Sequence, residues 1–283
     1  MELILEIIMI PAVLATIKIL VIILMFAMPL GTVLTLMERK WSAMIQDRVG
    51  PNRANIGKFT GHGALHLAAD GLKSIFKEDT MPKGADGFLY LIAPFFGLIA
   101  AVATFAIIPI AGPIGDFTFQ VTDIEPGLLF IFAITSLSVY GAVLAGTSSN
   151  SKFALLGGTR ASAQMISYEV FMGLALMGIF MVYGTTRVSG IVDGQNEYWF
   201  GSLIPMWGLF TQPLGFVLFF TALVAETKRA PFDAPEGESE IVAGYFLEYS
   251  GMRWSAFMLA EYVALVGVAS LITTLFFGGY HIP

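Results

Sequence analysis

The sequence predicts an all-α integral membrane protein with six transmembrane helices and short amphipathic helices in the loops on one side. Three observations carry this. Of the 283 residues, 56% are apolar and only 13% charged, whereas a soluble domain carries about a quarter charged residues. Several apolar runs reach about 20 residues, the length of helix that crosses the ~30 Å hydrocarbon core. Finally, 13 of the 15 lysines and arginines fall in three alternate loops.

In chain order, the spans are expected near 13–37, 88–112, 126–146, 164–184, 204–225 and 255–278, within one polytopic membrane domain covering 1–283. The first apolar run is longer than a signal-peptide core and lacks a small-residue cleavage site, so it reads as a span. The basic residues lie in the loops at about 38–87, 147–163 and 226–254, while Lys18 and Arg187 lie elsewhere. The positive-inside rule then places those loops in the cytoplasm and the N-terminus outside. Lys18, near the outer end of the first span, is expected to snorkel.

Two of the cytoplasmic loops have a pattern of their own. Leu65, Ala69, Leu72, Ile75 and Phe76 recur at helical spacing with His66, Asp70, Lys73 and Lys77 on other faces, as in a short helix lying on a membrane surface. In the last loop Asp233 is placed to cap a helix and Glu236 to complete a capping box. Ile241, Val242, Tyr245, Phe246 and Tyr249 would then form one face of a second interfacial helix. No internal repeat is visible, although a secondary transporter commonly shows duplicated halves.

Composition also excludes chemistry. With no cysteine, the chain cannot ligate an iron–sulfur cluster or zinc through thiolates, and three histidines make a bis-histidine haem improbable. His62, His66 and Asp70 share an i, i+4, i+8 stripe, but no third loop ligand accompanies any adjacent pair, so no metal site is expected. The 14 methionines and 24 phenylalanines read as packing and lipid-facing side chains.

Ionisable groups inside spans are costly and therefore informative. Glu169 and Glu261 lie a few residues inside the fourth and sixth spans, and Glu38 and Glu226 end the first and fifth. All four fall in the inner half of the bilayer or at its edge, and the last loop adds Glu236, Glu238, Glu240 and Glu248 at that level. Carboxylates crowded at low dielectric repel one another and lose solvation, so they hold protons more readily and can pass them on. The plainer alternatives are that Glu38 and Glu226 mark span ends, that Glu236 caps a helix, and that Glu169 and Glu261 pair with Arg160 or a tyrosine.

Several runs resemble a known family. Met37-Glu-Arg-Lys40, the segment from Gln46 to Arg53, Ala69-Asp-Gly-Leu-Lys73 and Phe76-Lys-Glu78 resemble the first cytoplasmic loop of the quinone-channel membrane subunit of respiratory complex I. Arg160 to Glu169 resembles that family's fourth-span start. Glu226 to Glu240, Glu248-Tyr-Ser-Gly251 and Ala260-Glu-Tyr262 resemble its acidic last loop and sixth span. Two features depart from the pattern. His66-Leu67 stands where the family usually has Gln-Pro, and the family typically has eight spans where this chain has six.

The resemblance implies a membrane subunit of a proton-translocating NADH:quinone oxidoreductase. Such a subunit forms a quinone channel, docks the peripheral arm and couples quinone reduction to proton pumping. Carried across, Arg39, Arg48, Asp70, Arg229, Phe232 and Asp233 are expected to line the quinone path, the arginines otherwise serving anionic lipid or arm docking. Tyr168, Glu169, Glu226, Glu236, Glu238, Glu240, Glu248 and Glu261 are expected to form the proton path. Quinone, ubiquinone or menaquinone, would be the substrate, with FMN and iron–sulfur clusters on partner subunits only.

The implied partners are the peripheral-arm quinone-site and terminal iron–sulfur subunits, small membrane subunits, antiporter-like pump subunits and lipids, with no nucleic acid. The bacterial cytoplasmic membrane is the expected location, ahead of the mitochondrial inner membrane. Related membrane subunits of energy-converting hydrogenases and of ferredoxin- or F420-linked dehydrogenases are the nearest alternative. A stand-alone ion transporter and a purely structural anchor are more distant ones.

Overall fold

The computed structural model describes residues 2–57, 61–115, 117–199, 204–237, 240 and 242–281, with side chains from residue 12 onward. Five helices are long and apolar enough to cross a membrane, and a sixth apolar helix is shorter.

Helix α1 (Glu2–Ile22) continues through a π-helical turn at Ile23–Ala27 into α2 (Met28–Ile45). The π turn has a local cause. Pro29 has no N–H, and its ring would clash with the carbonyl four residues back, so the register loosens just before it. The apolar stretch Ala12–Ile45 runs 34 residues, or about 51 Å at ~1.5 Å per residue, well beyond one hydrocarbon thickness. Lys18 does more than snorkel. Its Nζ donates to the Gln120 carbonyl at 3.2 Å and lies 4.8 Å from the Phe117 ring centroid, tying α1 to the loop after the next span.

Helix α3 (Leu65–Phe76) matches the surface helix expected from periodicity, and its Leu72, Ile75 and Phe76 are exposed. Helix α4 (Gly87–Thr104) starts at Asp86, whose carboxylate accepts from the N–H groups of Phe88 and Leu89. It stops at Thr104, short of the expected 112, because the chain turns before Pro109. Helix α5 (Gly127–Ser148) follows.

Helix α6 (Lys152–Tyr183) begins twelve residues before the expected 164, so the supposed loop at 147–163 shrinks to a short turn and Arg160 is helical. Gly184, at φ 66°, ends it in the left-handed conformation. After α7 (Val188–Gly194) comes a two-stranded hairpin of β1 (Tyr198–Trp199) and β2 (Ile204–Pro205).

The span expected at 204–225 is therefore corrected. It comprises β2, the short helix α8 (Gly208–Thr211) and α9 (Pro213–Glu226). At 14 residues, α9 is about 21 Å long, less than a bilayer core. Gln212 at φ −137° and Pro213 set the break that hydropathy alone does not register.

The second interfacial helix is also corrected. From Thr227 to Ser250 the described residues form turns, a single helical position at Glu240 and one 3₁₀ turn at Gly244–Phe246; Ile241 lies outside the described residues, Val242 is exposed, and Tyr245, Phe246 and Tyr249 are buried in the bundle. No helix starts at Asp233. Tyr249 stacks on Tyr90 of α4 at 4.0 Å and meets Phe257 edge-on at 5.0 Å. Aromatic side chains that sequence assigns to a membrane surface thus plug the end of the bundle. Helix α10 (Gly251–Phe276) closes the described fold.

Small residues let the backbones approach where a hydrophobic driving force between helices is weak. A Cβ on Gly146 would sit 2.6 Å from the Ala154 carbonyl, and one on Gly158 3.0 Å from that of Ala142, so α5 and α6 touch backbone to backbone. Gly157 presses on the 3₁₀ turn, where a Cβ would come within 2.5 Å of Gly244 C and Tyr245 N. Gly244 itself, at φ 65°, has the Pro235 carbonyl where its Cβ would be.

Gly157→Val is expected to unseat the 3₁₀ turn. Overpacking costs about 1–3 kcal/mol, a fall of roughly 3–10 °C in the thermal midpoint of the purified protein. Gly173→Ala on the same helix, with open space around it, is expected to leave the midpoint unchanged or slightly higher. Equal midpoints for the two variants would refute the close packing.

Candidate functional site

The ionisable residues of the spans and the last loop meet at one end of the bundle. Helix α9 ends at Glu226, and Lys228 turns the chain through a positive φ of 53°, so that two successive cations point into different surroundings. Arg229 reaches between two helices. One guanidinium nitrogen lies 2.9 Å from Glu38 Oε2 at the end of α2, and the other lies 2.9 Å from Glu261 Oε1 on α10. The Tyr262 hydroxyl donates to Glu38 Oε2 at 2.8 Å, and its ring lies 4.9 Å below the guanidinium. One cation therefore ties the first and last long helices to the loop.

Lys228 serves the loop itself. Its Nζ donates to Glu236 Oε1 at 3.0 Å and to the Tyr245 hydroxyl at 2.5 Å, while that hydroxyl donates to Glu236 Oε1 at 3.1 Å. The Lys228 and Glu236 side chains are only 11% and 15% exposed. Burial opposes the ammonium charge, but Tyr245, Glu236 and Glu261 outweigh it, and the Lys228 pKa rises above that of ordinary lysine. Burial acts the other way on Tyr245 and raises its pKa, so that its hydroxyl stays protonated and available to donate.

Below this network a cavity of about 100 Å³ runs between α4, α5, α6, α9 and α10. Glu226, Lys228, Tyr245 and Glu261 line its loop end, and the hydroxyls of Thr104, Thr135 and Ser138 extend along it. Each hydroxyl donates to a carbonyl of its own helix and so keeps acceptor capacity toward the cavity. Glu226 Oε2 is buried with no hydrogen-bond partner among the described residues. At ~30 Å³ per water, such a space suits a few waters able to satisfy that oxygen. Glu169 on α6 accepts from the Ser136 hydroxyl of α5.

The expected proton-path residues divide accordingly. Glu226 and Glu261 line the cavity, Glu236 belongs to the Lys228 triad, and Glu169 binds Ser136. Tyr168 packs edge-on against Phe232 at 5.3 Å. Glu240 forms an exposed surface pair with Arg160 at 3.0 Å. Glu248 is held through its carbonyl, which accepts from the Tyr90 hydroxyl at 2.7 Å. Glu238 lies outside the described residues.

The expected quinone-path residues are more scattered, and none of the six lines the cavity. Arg39 pairs with Asp70, joining α2 to α3. Arg48 is exposed and donates to Gln46 at 2.7 Å. Phe232 accepts from Gln164 through its carbonyl at 2.7 Å, and Asp233 is exposed, its carbonyl accepting from the Glu236 N–H. Of the six, only Arg229 belongs to the acidic network.

Sequence reasoning did not find Lys228, Tyr245, Tyr262 and Ser136 as members. The polar run Thr135-Ser-Leu-Ser138 within an apolar span was a visible signal for the last of these. The plain pairing considered for Glu261 and Glu169 also changes, since Arg160 engages Glu240 and Glu261 engages Arg229.

Lys228→Met leaves Glu236 buried without its cation, a loss of roughly 3–5 kcal/mol by the usual cost of breaking a buried pair. The sign of the pH dependence follows from the raised Lys228 pKa. The contribution is fully present below the ordinary lysine value of ~10.4 and is lost only as pH rises through the folded one. Wild type should thus keep the Lys228 contribution undiminished from about pH 6 to 9. A Lys228→Met thermal midpoint equal to that of wild type at pH 9 would remove Lys228 as the stabilising cation.

Residues 17–283 match the NADH dehydrogenase family as a whole. Over 258 residues the chain is 46% identical to a subunit of the NADH-quinone oxidoreductase of Geobacter metallireducens, covering 90% of this chain and 74% of that protein. With the match extending across the spans, the basic loops and the acidic network alike, the chain belongs to the NADH dehydrogenase family, among the membrane subunits of NADH-quinone oxidoreductase.

Proposed function

We propose that this membrane subunit of the NADH-quinone oxidoreductase type couples reduction of a quinone to proton translocation, and that the buried acidic network is its proton-responsive part. The observation that carries the reading is Glu226 and Glu261 facing one cavity, with the Arg229 and Lys228 ion pairs at its mouth. A change of charge near that mouth alters which carboxylates are paired, and an unpaired carboxylate at low dielectric takes up a proton. The hydroxyl-lined cavity then offers a path away from the loop.

The quinone route belongs on the side where α2, α3 and α10 adjoin. The Arg39–Asp70 pair and the exposed apolar face of α3 lie there, suiting a polar headgroup followed by an isoprenoid tail. The two electrons reach the quinone from iron–sulfur clusters and FMN held by partner subunits, since this chain has no cysteine. The basic loops dock the peripheral-arm quinone-site and terminal iron–sulfur subunits on the cytoplasmic side of a bacterial membrane, with the N-terminus outside. Small membrane subunits and antiporter-like pump subunits complete the complex.

In the purified complex, Glu169→Gln and Glu261→Gln are each expected to lower NADH:quinone reductase activity at least tenfold. Assembly and ferricyanide reduction by the peripheral arm should be unchanged. Glu238→Gln is expected to behave in the same way. Wild-type quinone reductase activity in Glu169→Gln and Glu238→Gln would sink the proton-path assignment, and loss of assembly alone would leave only an anchoring role.

A further inference from the structure

His66, which departs from the family's Gln-Pro pattern, is half-buried on the first full turn of α3, at the foot of the segment that carries Arg48 and Arg53. Two backbone N–H groups of that segment converge on one ring atom. Arg53 N and Ala54 N each donate to His66 Nε2 at 3.0 Å. A ring nitrogen that accepts carries no proton, so the imidazole here is neutral with its hydrogen on Nδ1.

Among the described residues the segment's other ties run to α2, where Arg48 N donates to the Ala43 carbonyl at 2.8 Å, a Cβ on Gly50 would stand 2.9 Å from that of Ala43, and Lys40 Nζ reaches the Val49 carbonyl at 3.5 Å. Just before α3, Gly63 lies against the Pro51 carbonyl, where a Cβ would stand 2.3 Å away. The two bonds to His66 therefore provide much of the attachment of residues 51–54 to α3.

We propose that His66 is a positioning residue, a latch that holds residues 51–54, which include Arg53, against α3 while its ring is neutral and releases them when the ring is protonated. An imidazolium has two donors and no acceptor, so protonation breaks both bonds together and sets an N–H⁺ against two N–H groups.

The charged residues of the adjoining elements include Arg39 and Lys40 on α2, Arg48 and Arg53 on the segment itself, and Asp70, Lys73 and Lys77 on α3, with Asp70 already engaged by Arg39. From α10, which packs along α3, Arg253 pairs with Asp79 and Glu261 with Arg229. Protonation thus adds a cation among elements whose basic residues outnumber their acidic ones, which favours the released segment. If the arginine-bearing loop adjoins the quinone route, as the proposed function has it, the latch makes quinone binding weaken as the cytoplasmic side becomes acid.

The test is backbone hydrogen–deuterium exchange in the purified complex, read on peptides covering residues 51–57 and corrected for the intrinsic pH dependence of exchange. In wild type, protection of the Arg53 and Ala54 amides should fall roughly tenfold from pH 8 to pH 5.5, the scale of losing two ordinary hydrogen bonds. Exchange in α10 should not change.

His66→Gln, which offers a carbonyl acceptor that does not titrate, should keep the protection at both pH values, whereas His66→Leu should lack it at both. Protection in wild type that does not vary with pH, a measurement that needs no variant, overturns the latch. So does His66→Gln falling with pH as wild type does. The quinone KM, rising at pH 5.5 in wild type but not in His66→Gln, tests the link to the channel separately. An unchanged KM beside the expected exchange result keeps the latch and removes the loop from the quinone route.

Discussion

Arg229 reaches from the last loop to two helices at once, pairing with Glu38 on α2 and with Glu261 on α10. Helix α2 is largely exposed along its length, and near its inner end it meets the bundle through Gly31 against Tyr262 and through Glu38. Glu38 stays in place because Arg229 and Tyr262 both bind the same oxygen, and Arg229 is itself held by Glu261. A buried cation deprived of its partners is strongly unfavourable, so the guanidinium makes the positions of α2, α10 and the last loop interdependent. The neighbouring Lys228, turned the other way by its positive φ, does the same within the loop by gathering Glu236 and Tyr245. Two adjacent cations thus divide the acidic residues, Glu38 and Glu261 pairing with Arg229 and Glu236 with Lys228.

Much of this was legible in the sequence for particular reasons. Apolar runs located the long helices, and the apolar periodicity of 65–76 marked α3, because the solvent boundary imposes its period directly on residue type. The convergence of Glu38, Glu226 and Glu261 at one end followed from counting spans and their directions, and the chain places them there. Hydropathy could not see that α6 begins at Lys152, since a helix extended beyond the apolar zone carries polar residues without breaking. Nor could it see that residues 204–226 divide into β2, α8 and α9, because strand, turn and helix are equally apolar there.

The last loop misled for a different reason. Tyr245, Phe246 and Tyr249 have a spacing that suits a helix face, yet Gly244 and the close approach of Gly157 give them a turn that fits inside the bundle. Aromatic content signals burial without saying against what. The partners of Lys228 were likewise hidden. A lysine two residues beyond a span end is usually solvated, and only the fold brings Glu236 and Tyr245 close enough to bury it. Local pattern carries information about a residue's environment, but pairing depends on chain returns that no window of sequence contains.

If the chain couples quinone reduction to proton movement as proposed, the separation of the network from the expected quinone ligands bears on the route. Arg39 and Asp70 pair with each other on the α2–α3 side, while Glu226 faces the cavity, and none of the six quinone-path residues lines that cavity. A direct handover of protons between quinone and Glu226 is therefore not what the geometry favours. Arg229 stands between the two regions, bound to Glu38, which is next to Arg39, and to Glu261, which lines the cavity. A charge arriving near Arg39 would compete for the same cations that hold Glu38 and Glu261. Electrostatic competition over one guanidinium needs no continuous proton wire, only that Arg229 cannot satisfy both sides equally once a further charge is present.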